Sequence, residues 1–165
     1  MNSSRFRLVP ILLLLATVLA ATAPASAQAP AAPWKVGVAT RKITPSGPIW
    51  MAGYANRTAP STGVDLDLFG KALALQDARG QRMVIVTLDL IGVPRSLRQH
   101  VERECGTRFG LKPHEILLNA SHTHCGPLVS PDRMELERTF SRAATAEHVQ
   151  AVNAYTSWLE QTVVD

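Results

Sequence analysis

Two short apolar runs with a helix between them constrain the fold of this chain more than any other feature. The first run is Met83–Leu90 and the second is Ile116–Ala120, which is bounded by turn residues and is typical of a buried strand. A strand, helix, strand order predicts that the two strands pair in parallel through a right-handed crossover. The sequence therefore predicts an α/β fold.

The helix between these runs has recognisable ends. Ser96 and Gln99 predict a capping box at its start, and Leu97, Val101 and Cys105 mark one apolar face. That face ends before Gly110, so the glycine is expected to terminate the helix.

A hairpin precedes the crossover. Leu68–Gln76 is a further apolar run, and the polar turn Asp77–Gly80 joins it to Met83–Leu90. The expected sheet is therefore mixed, with an antiparallel hairpin and a parallel β-α-β unit.

An earlier strand and a long loop come before the hairpin. Trp34–Ile43 alternates well enough to predict a strand, which Pro45 and the residues after it break. Ile49–Gly63 is rich in Gly, Pro, Ser, Thr and Asn and predicts a long ordered loop, a kind of segment that is often functional.

The first residues have the order of a secretory leader. Arg5 and Arg7 precede an apolar run, and Ala25–Ala27 follows as a small-residue cleavage site. We expect a signal peptide over 1–27, an Ala/Pro linker over 28–33 and a secreted or periplasmic protein; the alternative is an amino-terminal membrane anchor. Removing the leader takes away two arginines and no acids, so the net charge falls from +4 to +2. That surplus is too small to indicate nucleic-acid binding.

The last segment predicts a long amphipathic helix. Val149, Val152, Thr156, Leu159 and Val163 fall on one face at helical spacing. The sequence ends at 165 without a Gly, Pro or basic last turn, which predicts that 34–165 is the amino-terminal part of a domain that is incomplete at its carboxyl end.

The candidate chemistry lies in the loop after Ile116–Ala120. Ligands gather at the carboxyl ends of parallel strands, which is where His122 and His124 are expected. Residues two apart in extended chain point the same way, and neutral imidazoles are good zinc ligands, so the pair predicts a metal site. The alternative is two polar residues at a solvated strand end. The pattern is neither the HExxH helix nor the metallo-β-lactamase motif, since Gly126 and Pro127 follow directly.

The order and spacing of several motifs resemble the amino-terminal domain of neutral/alkaline non-lysosomal ceramidases. The best marker is a His-Thr-His-Ser-Gly-Pro loop, in which Cys125 here replaces the serine. The motifs that carry the resemblance are Val36–Ala39, Ile43–Pro45, Met51–Tyr54, Leu88–Asp89 and His122–Pro127.

The resemblance implies a zinc-dependent amidohydrolase that cleaves the N-acyl bond of ceramide-like lipids to a fatty acid and a sphingoid base. It makes His122 a zinc ligand and places His124 beside the metal as a catalytic residue. The family's other ligands, a His, a Glu and a Tyr, lie far downstream, so this chain alone is expected to be inactive. Asp89 is expected either to support the site indirectly or to act as a turn residue, and Arg57 either to meet a polar head group or to be solvated. His148 is expected to be a surface histidine.

The resemblance also implies two partners: a small-molecule lipid substrate and a membrane surface that the protein contacts peripherally. Nucleic acid is not expected, and the residues do not specify an oligomeric state. Two alternative functions stay open: a zinc hydrolase of another amide or ester, and a secreted binding module of the same fold without catalysis.

The two cysteines, Cys105 and Cys125, would lie in an oxidising compartment where a disulfide is permitted. We favour a small buried thiol at Cys125, because a bridge would tie the histidine loop to the preceding helix. The alternative is a Cys105–Cys125 disulfide.

Overall fold

The structure, a computed structural model, describes residues 34–140 and 143–165, so the predicted leader and linker lie outside the described residues. The described residues form strands, helices and one 3-10 turn. The strands are β1 (Lys35–Lys42), β2 (Phe69–Gln76), β3 (Arg82–Leu88) and β4 (Ile116–Ala120); the helices are α1 (Arg95–Phe109), α2 (Pro131–Phe140) and α3 (Ala146–Val164), and the 3-10 turn is Pro113–Glu115.

The strands form one mixed sheet in the order β1-β2-β3-β4. Strand β2 pairs antiparallel with both β1 and β3. Strands β3 and β4 pair in parallel, and α1 lies between them in the sequence. The predicted α/β fold, hairpin and parallel unit are confirmed.

The turn between β2 and β3 shows why this hairpin forms. The Asp77 carboxylate accepts hydrogen bonds from the backbone N–H groups of Arg79 (2.9 Å) and Gln81 (2.8 Å). Gly80 has a φ of 82°, a left-handed conformation that glycine adopts without steric cost. The predicted turn is therefore confirmed in its chemistry as well as its place.

Helix α1 ends as predicted but begins differently. Gly110 has a φ of 63° and its N–H bonds to the Gly106 carbonyl at 3.0 Å, a left-handed cap. The predicted capping box at Ser96 is wrong, because the N-cap is Pro94 and no side chain caps it. The helix starts one residue before Ser96, so that hydroxyl lies inside the first turn.

One face of the sheet packs against the helices and forms the core. Leu88 on β3 is 1% exposed, and its neighbours in the cluster include Leu97 and Val101 of α1 and Val152 and Leu159 of α3. The helical faces predicted from periodicity are thus the ones that bury. On α3 the pattern extends to Tyr155 and Val164, while Val163 is only half-buried.

The opposite face of the sheet is apolar and largely uncovered by the described residues. The strand registers bring a row of aliphatic side chains together on it, with Val38 81% and Leu117 44% exposed. The expectation that β4 is a buried strand is therefore only half right, because β4 is a sheet edge with one covered side. The row comprises Val36, Val38, Leu73, Leu75, Met83, Ile85 and Leu117.

Helix α3 has a true capping box at its start. The Thr145 hydroxyl accepts from the His148 N–H at 3.4 Å, and the His148 ring accepts from the Thr145 N–H at 3.1 Å. His148 is half-buried, with its ring centroid 5.4 Å from that of Trp50. The expected surface histidine is thus partly covered, and its ring caps a helix. Helix α2 was not predicted.

Among the described residues, no helix combines the length and the apolar character needed to cross a membrane.

Candidate metal centre

The histidine loop begins at the carboxyl ends of the parallel strands, where the sequence places it. The backbone N–H of Ser121, the first residue after β4, donates to the carbonyl oxygen of Leu88 at the end of β3, 3.0 Å away. His122 is therefore anchored next to two strand ends.

The ring of His122 is oriented by a backbone group. Its Nδ1 lies 2.8 Å from the carbonyl oxygen of Ile91. A carbonyl oxygen only accepts, so Nδ1 carries the proton and Nε2 of the neutral ring keeps its lone pair free. Histidines that bind metals are commonly oriented in this way, through a hydrogen bond from the other ring nitrogen.

The backbone of His122 is itself unusual. Its φ is 59°, and it is the one non-glycine residue with positive φ in the described part of the chain. Such conformations cost free energy and cluster at functional sites. The left-handed residue also breaks the extended geometry that the sequence predicts, yet the rings of His122 and His124 still meet, with centroids 5.2 Å apart.

A second segment lies along the histidine loop and closes one side of it. Met51 and Pro127 form an antiparallel bridge, and the N–H of Ala52 donates to the Gly126 carbonyl at 3.0 Å. Part of the predicted long loop is thus fixed against the histidines.

This second segment packs against His124, which is half-buried. A Cβ atom on Gly53 would lie 2.6 Å from its Cγ, so only glycine fits there. The Tyr54 ring meets the His124 ring edge-on, with centroids 4.9 Å apart. Arg57 donates from Nη2 to the His124 carbonyl oxygen at 2.7 Å.

Asp89 has a structural contact. Its carboxylate accepts from the N–H of Phe69 at 2.9 Å, which ties the end of β3 to the start of β2. This is a structural role, but it joins two strands across 20 residues and is not the turn contact that the sequence left open. Among the described residues, this carboxylate accepts no hydrogen bond from His122 or His124.

Asp89 also lines a groove beside the histidine loop. The groove has a volume of about 710 Å³ and is lined mostly by residues between 44 and 68, with Asp89, Thr123 and Cys125 also in its wall. Cys125 is exposed and Cys105 is buried, and both are free thiols. The favoured thiol is confirmed, but it is exposed rather than buried.

The histidine pair fits a metal ion in part. The free Nε2 of His122 and the neighbouring imidazole are suitable donors. In the described residues no group of three or more His, Cys, Asp and Glu side chains comes together to hold an ion. Zinc sites generally use three or four protein ligands, so these residues alone form an incomplete site.

Sequence reasoning gave no role to Ile91, Gly53 or Tyr54. Ile91 acts through its backbone, which no residue type can reveal. Gly53 and Tyr54 belong to a quoted motif, but their residue types alone do not reveal the contact with His124.

These features define an α/β protein with an oriented histidine pair at the carboxyl ends of its parallel strands. The family model described as "Neutral/alkaline non-lysosomal ceramidase, N-terminal" matches residues 34–153, well over half of the chain. The chain belongs to this family.

Individual relatives agree over a shorter stretch. A neutral ceramidase of Drosophila melanogaster is 30% identical over 99 residues, which is 58% of this chain and 14% of the relative. One from Oryza sativa subsp. japonica is 30% identical over 100 residues, covering 59% and 13%. The matched stretch is thus a small part of each relative's length.

Solved structures share the fold. Neutral ceramidase from Pseudomonas aeruginosa superposes with a TM-score of 0.61 over 80% of this chain and 20% of that chain, at 21% identity. A ceramidase complexed with C2 gives a TM-score of 0.60 at 20% identity. This likeness supports the mixed α/β sheet described above.

Proposed function

We propose that this chain is the amino-terminal part of a zinc-dependent amidohydrolase that cleaves the N-acyl bond of ceramide-like lipids. Family membership supports the class of reaction. The observation that carries the proposal at the level of residues is the hydrogen bond from His122 Nδ1 to the Ile91 carbonyl, which leaves Nε2 free for a metal.

In this proposal His122 holds the metal through Nε2. Zinc, when bound, supplies a Lewis acid that polarises an amide carbonyl. His124 lies beside His122 with ring centroids 5.2 Å apart, close enough to donate to or accept from a substrate bound at the same place. In this proposal the remaining zinc ligands come from residues other than those that the structure describes. This agrees with the match covering only 14% of the length of the Drosophila melanogaster relative.

Metal binding tests the proposal on the chain itself. We expect weak zinc binding, measured by calorimetric titration, and an absorption band when cobalt replaces zinc. His122→Ala should abolish both signals, whereas His124→Ala should leave more of the metal bound. His114→Ala is the matched control, because His114 lies in the 3-10 turn before β4 and should not alter binding.

Hydrolysis is tested on the longest natural form of the protein, with a fluorescent short-chain ceramide in detergent micelles. Release of the fatty acid that disappears in His122→Ala supports the proposal. Stoichiometric zinc with normal turnover in His122→Ala would refute it. Zinc binding with turnover of simple amides or esters, but not of ceramide, would favour a zinc hydrolase of another substrate. The absence of both activity and bound zinc would favour the binding module.

We also propose that the protein is exported and processed near Ala27, on the basis of the charged, apolar and small-residue order of 1–27. Amino-terminal sequencing of the exported protein should begin at or near Gln28. Mature protein that retains Met1 would contradict export with cleavage.

A further inference from the structure

The side chains around His124 come from one short turn. The N–H of Arg57 donates to the carbonyl oxygen of Tyr54 at 3.4 Å, which closes the turn 54–57. The same turn stacks the Arg57 guanidinium over the Tyr54 ring, with Cζ 5.3 Å from the ring centroid. Tyr54 and Arg57 therefore act as one unit.

This unit touches both parts of His124. Tyr54 meets the imidazole edge-on at 4.9 Å between centroids, and Arg57 binds the backbone carbonyl at 2.7 Å. Gly53 completes the contact, since its backbone packs where a Cβ atom would lie 2.7 Å from the Cβ of His124. The ring and the main chain of His124 are both constrained by residues 67 or more positions earlier in the sequence.

The environment of Arg57 shows how closely the side chain is held. Its Nε is buried and finds no hydrogen-bond partner among the described residues. Burying a guanidinium nitrogen without a partner is costly, so the stacking on Tyr54 and the charged bond to the His124 carbonyl must offset that cost. An arginine that only covered the surface would keep this nitrogen in water.

We infer that Tyr54 and Arg57 are positioning residues that fix the imidazole of His124 relative to His122. The inference rests on the proposed function for its catalytic consequence, but not for its structural content. Arg57 thus acts on the site through the backbone of His124, and Tyr54 acts through its ring.

The structural content is tested without metal or substrate, on the full chain with ring-labelled histidines, by NMR. The Tyr54 ring current should shift the His124 ring protons. Tyr54→Phe should keep that shift, and Tyr54→Leu should remove it. Arg57→Ala should move or broaden the His124 resonances, and Arg57→Lys should do so less. Arg79→Ala, at the exposed hairpin turn, is the matched control and should change nothing.

The other histidines serve as internal reporters of folding. His100, His114 and His148 should keep their resonances in every variant. If Arg57→Ala unfolds the protein, Tyr54→Leu decides, because Tyr54 is 56% exposed and its truncation leaves the core intact. Unchanged His124 resonances in a folded Tyr54→Leu or Arg57→Ala variant would overturn the inference.

The catalytic consequence is tested on the longest natural form with the short-chain ceramide. Misplacing a catalytic group by about 1 Å costs on the order of 100-fold in rate, so Arg57→Ala should lower kcat by about that factor with little change in KM. Arg57→Lys should recover part of the lost kcat. Arg79→Ala, the control, should keep the kcat of the wild type. An active wild type whose Arg57→Ala variant keeps its kcat would refute this inference alone. A wild type with neither zinc nor activity would refute the proposed function, while the NMR result would still stand.

Discussion

The hydroxyl group of Tyr155 donates a hydrogen bond of 2.6 Å to the carbonyl oxygen of Ile43, 112 residues earlier in the chain. Both residues are buried, at 7% and 0% exposure. The bond fastens the last helix to the chain just after β1, where the segment toward the histidine site begins. The segment that follows β1 and helix α3 are therefore joined by a polar contact as well as by the core.

Removing this hydroxyl should destabilise the protein. Tyr155→Phe leaves the buried Ile43 carbonyl without its partner, which should lower the free energy of unfolding by about 1–3 kcal/mol in a urea titration. Tyr54→Phe is the matched control, because the Tyr54 ring is exposed, and it should stay within about 0.5 kcal/mol of the wild type. Equal stability of the two variants would mean that the Tyr155 bond contributes nothing.

The same tyrosine should make the fold sensitive to alkali. Burial raises the pKa of Tyr155 in the folded protein above its ordinary value of 10.0. The unfolded phenol then loses its proton first, so this contribution is complete below about pH 10 and is lost as the pH rises further. Tyr155→Phe should remove this part of the alkaline decline, seen in unfolding titrations at pH 9 to 11. A variant with the same decline as the wild type would show that other groups cause it.

His122→Asn should separate metal binding from stability. Asparagine tolerates the left-handed conformation that His122 adopts at φ 59°, and its amide can occupy the place of Nδ1 near the Ile91 carbonyl. The variant has no equivalent of Nε2, so zinc binding should be lost, while the free energy of unfolding should change by less than about 1 kcal/mol. Calorimetric zinc titration and thermal unfolding measure the two effects, and His114→Asn is the control. Zinc binding that is retained in His122→Asn would show that His122 is not a zinc ligand.

Gly53→Ala should disrupt the contact with His124. The added methyl group would lie 2.6 Å from Cγ of His124, and the φ of 107° at Gly53 is one that alanine rarely adopts. We expect a loss of stability of about 1–3 kcal/mol together with shifted His124 ring resonances. Gly47→Ala is the control, since nothing lies within 4 Å of its Cβ position and no strained φ is present. Normal His124 resonances in Gly53→Ala would show that the close approach of Gly53 does not fix the position of the His124 ring.

The two thiols should differ in reactivity. Cys125 is exposed, whereas Cys105 is buried and desolvation raises the pKa of its thiol. Because the thiolate is the reactive form, the native protein should take up one equivalent of a disulfide reagent quickly and a second only after unfolding. Cys125→Ser should remove the fast equivalent. Uptake of none by the unfolded, non-reduced protein would indicate a Cys105–Cys125 bridge.

Local patterns in the sequence predicted most of the fold. Hydrophobic periodicity located the strands and the buried face of α3, and Asp77 and Gly110 specified a turn and a helix end through chemistry that acts within a few residues. The errors lie where neighbouring signals compete, as at Ser96, where the proline two residues earlier sets the start of the helix.

The histidine site was predictable only as a pair of residues. The pattern placed His122 and His124 at the carboxyl end of a strand, but the contacts that orient them come from Ile91, 31 residues away, and Arg57, 67 residues away. Ile91 acts through its own backbone carbonyl, and the Arg57 side chain binds the backbone carbonyl of His124. Any residue could supply the Ile91 carbonyl, and an arginine in a long loop does not reveal which carbonyl it binds, so the sequence could not specify the geometry.

The assembly of this site from three separate segments has a consequence in time. Contacts between residues far apart in the chain form only after loop closure has cost its entropy, so they tend to come late in folding. The segments that hold the two histidines are brought together by the sheet and cannot acquire their final arrangement before it. During refolding the imidazoles should therefore reach their native resonances no earlier than the β3–β4 pairing. If the proposed site binds zinc, zinc should bind at the end of folding and not at its start.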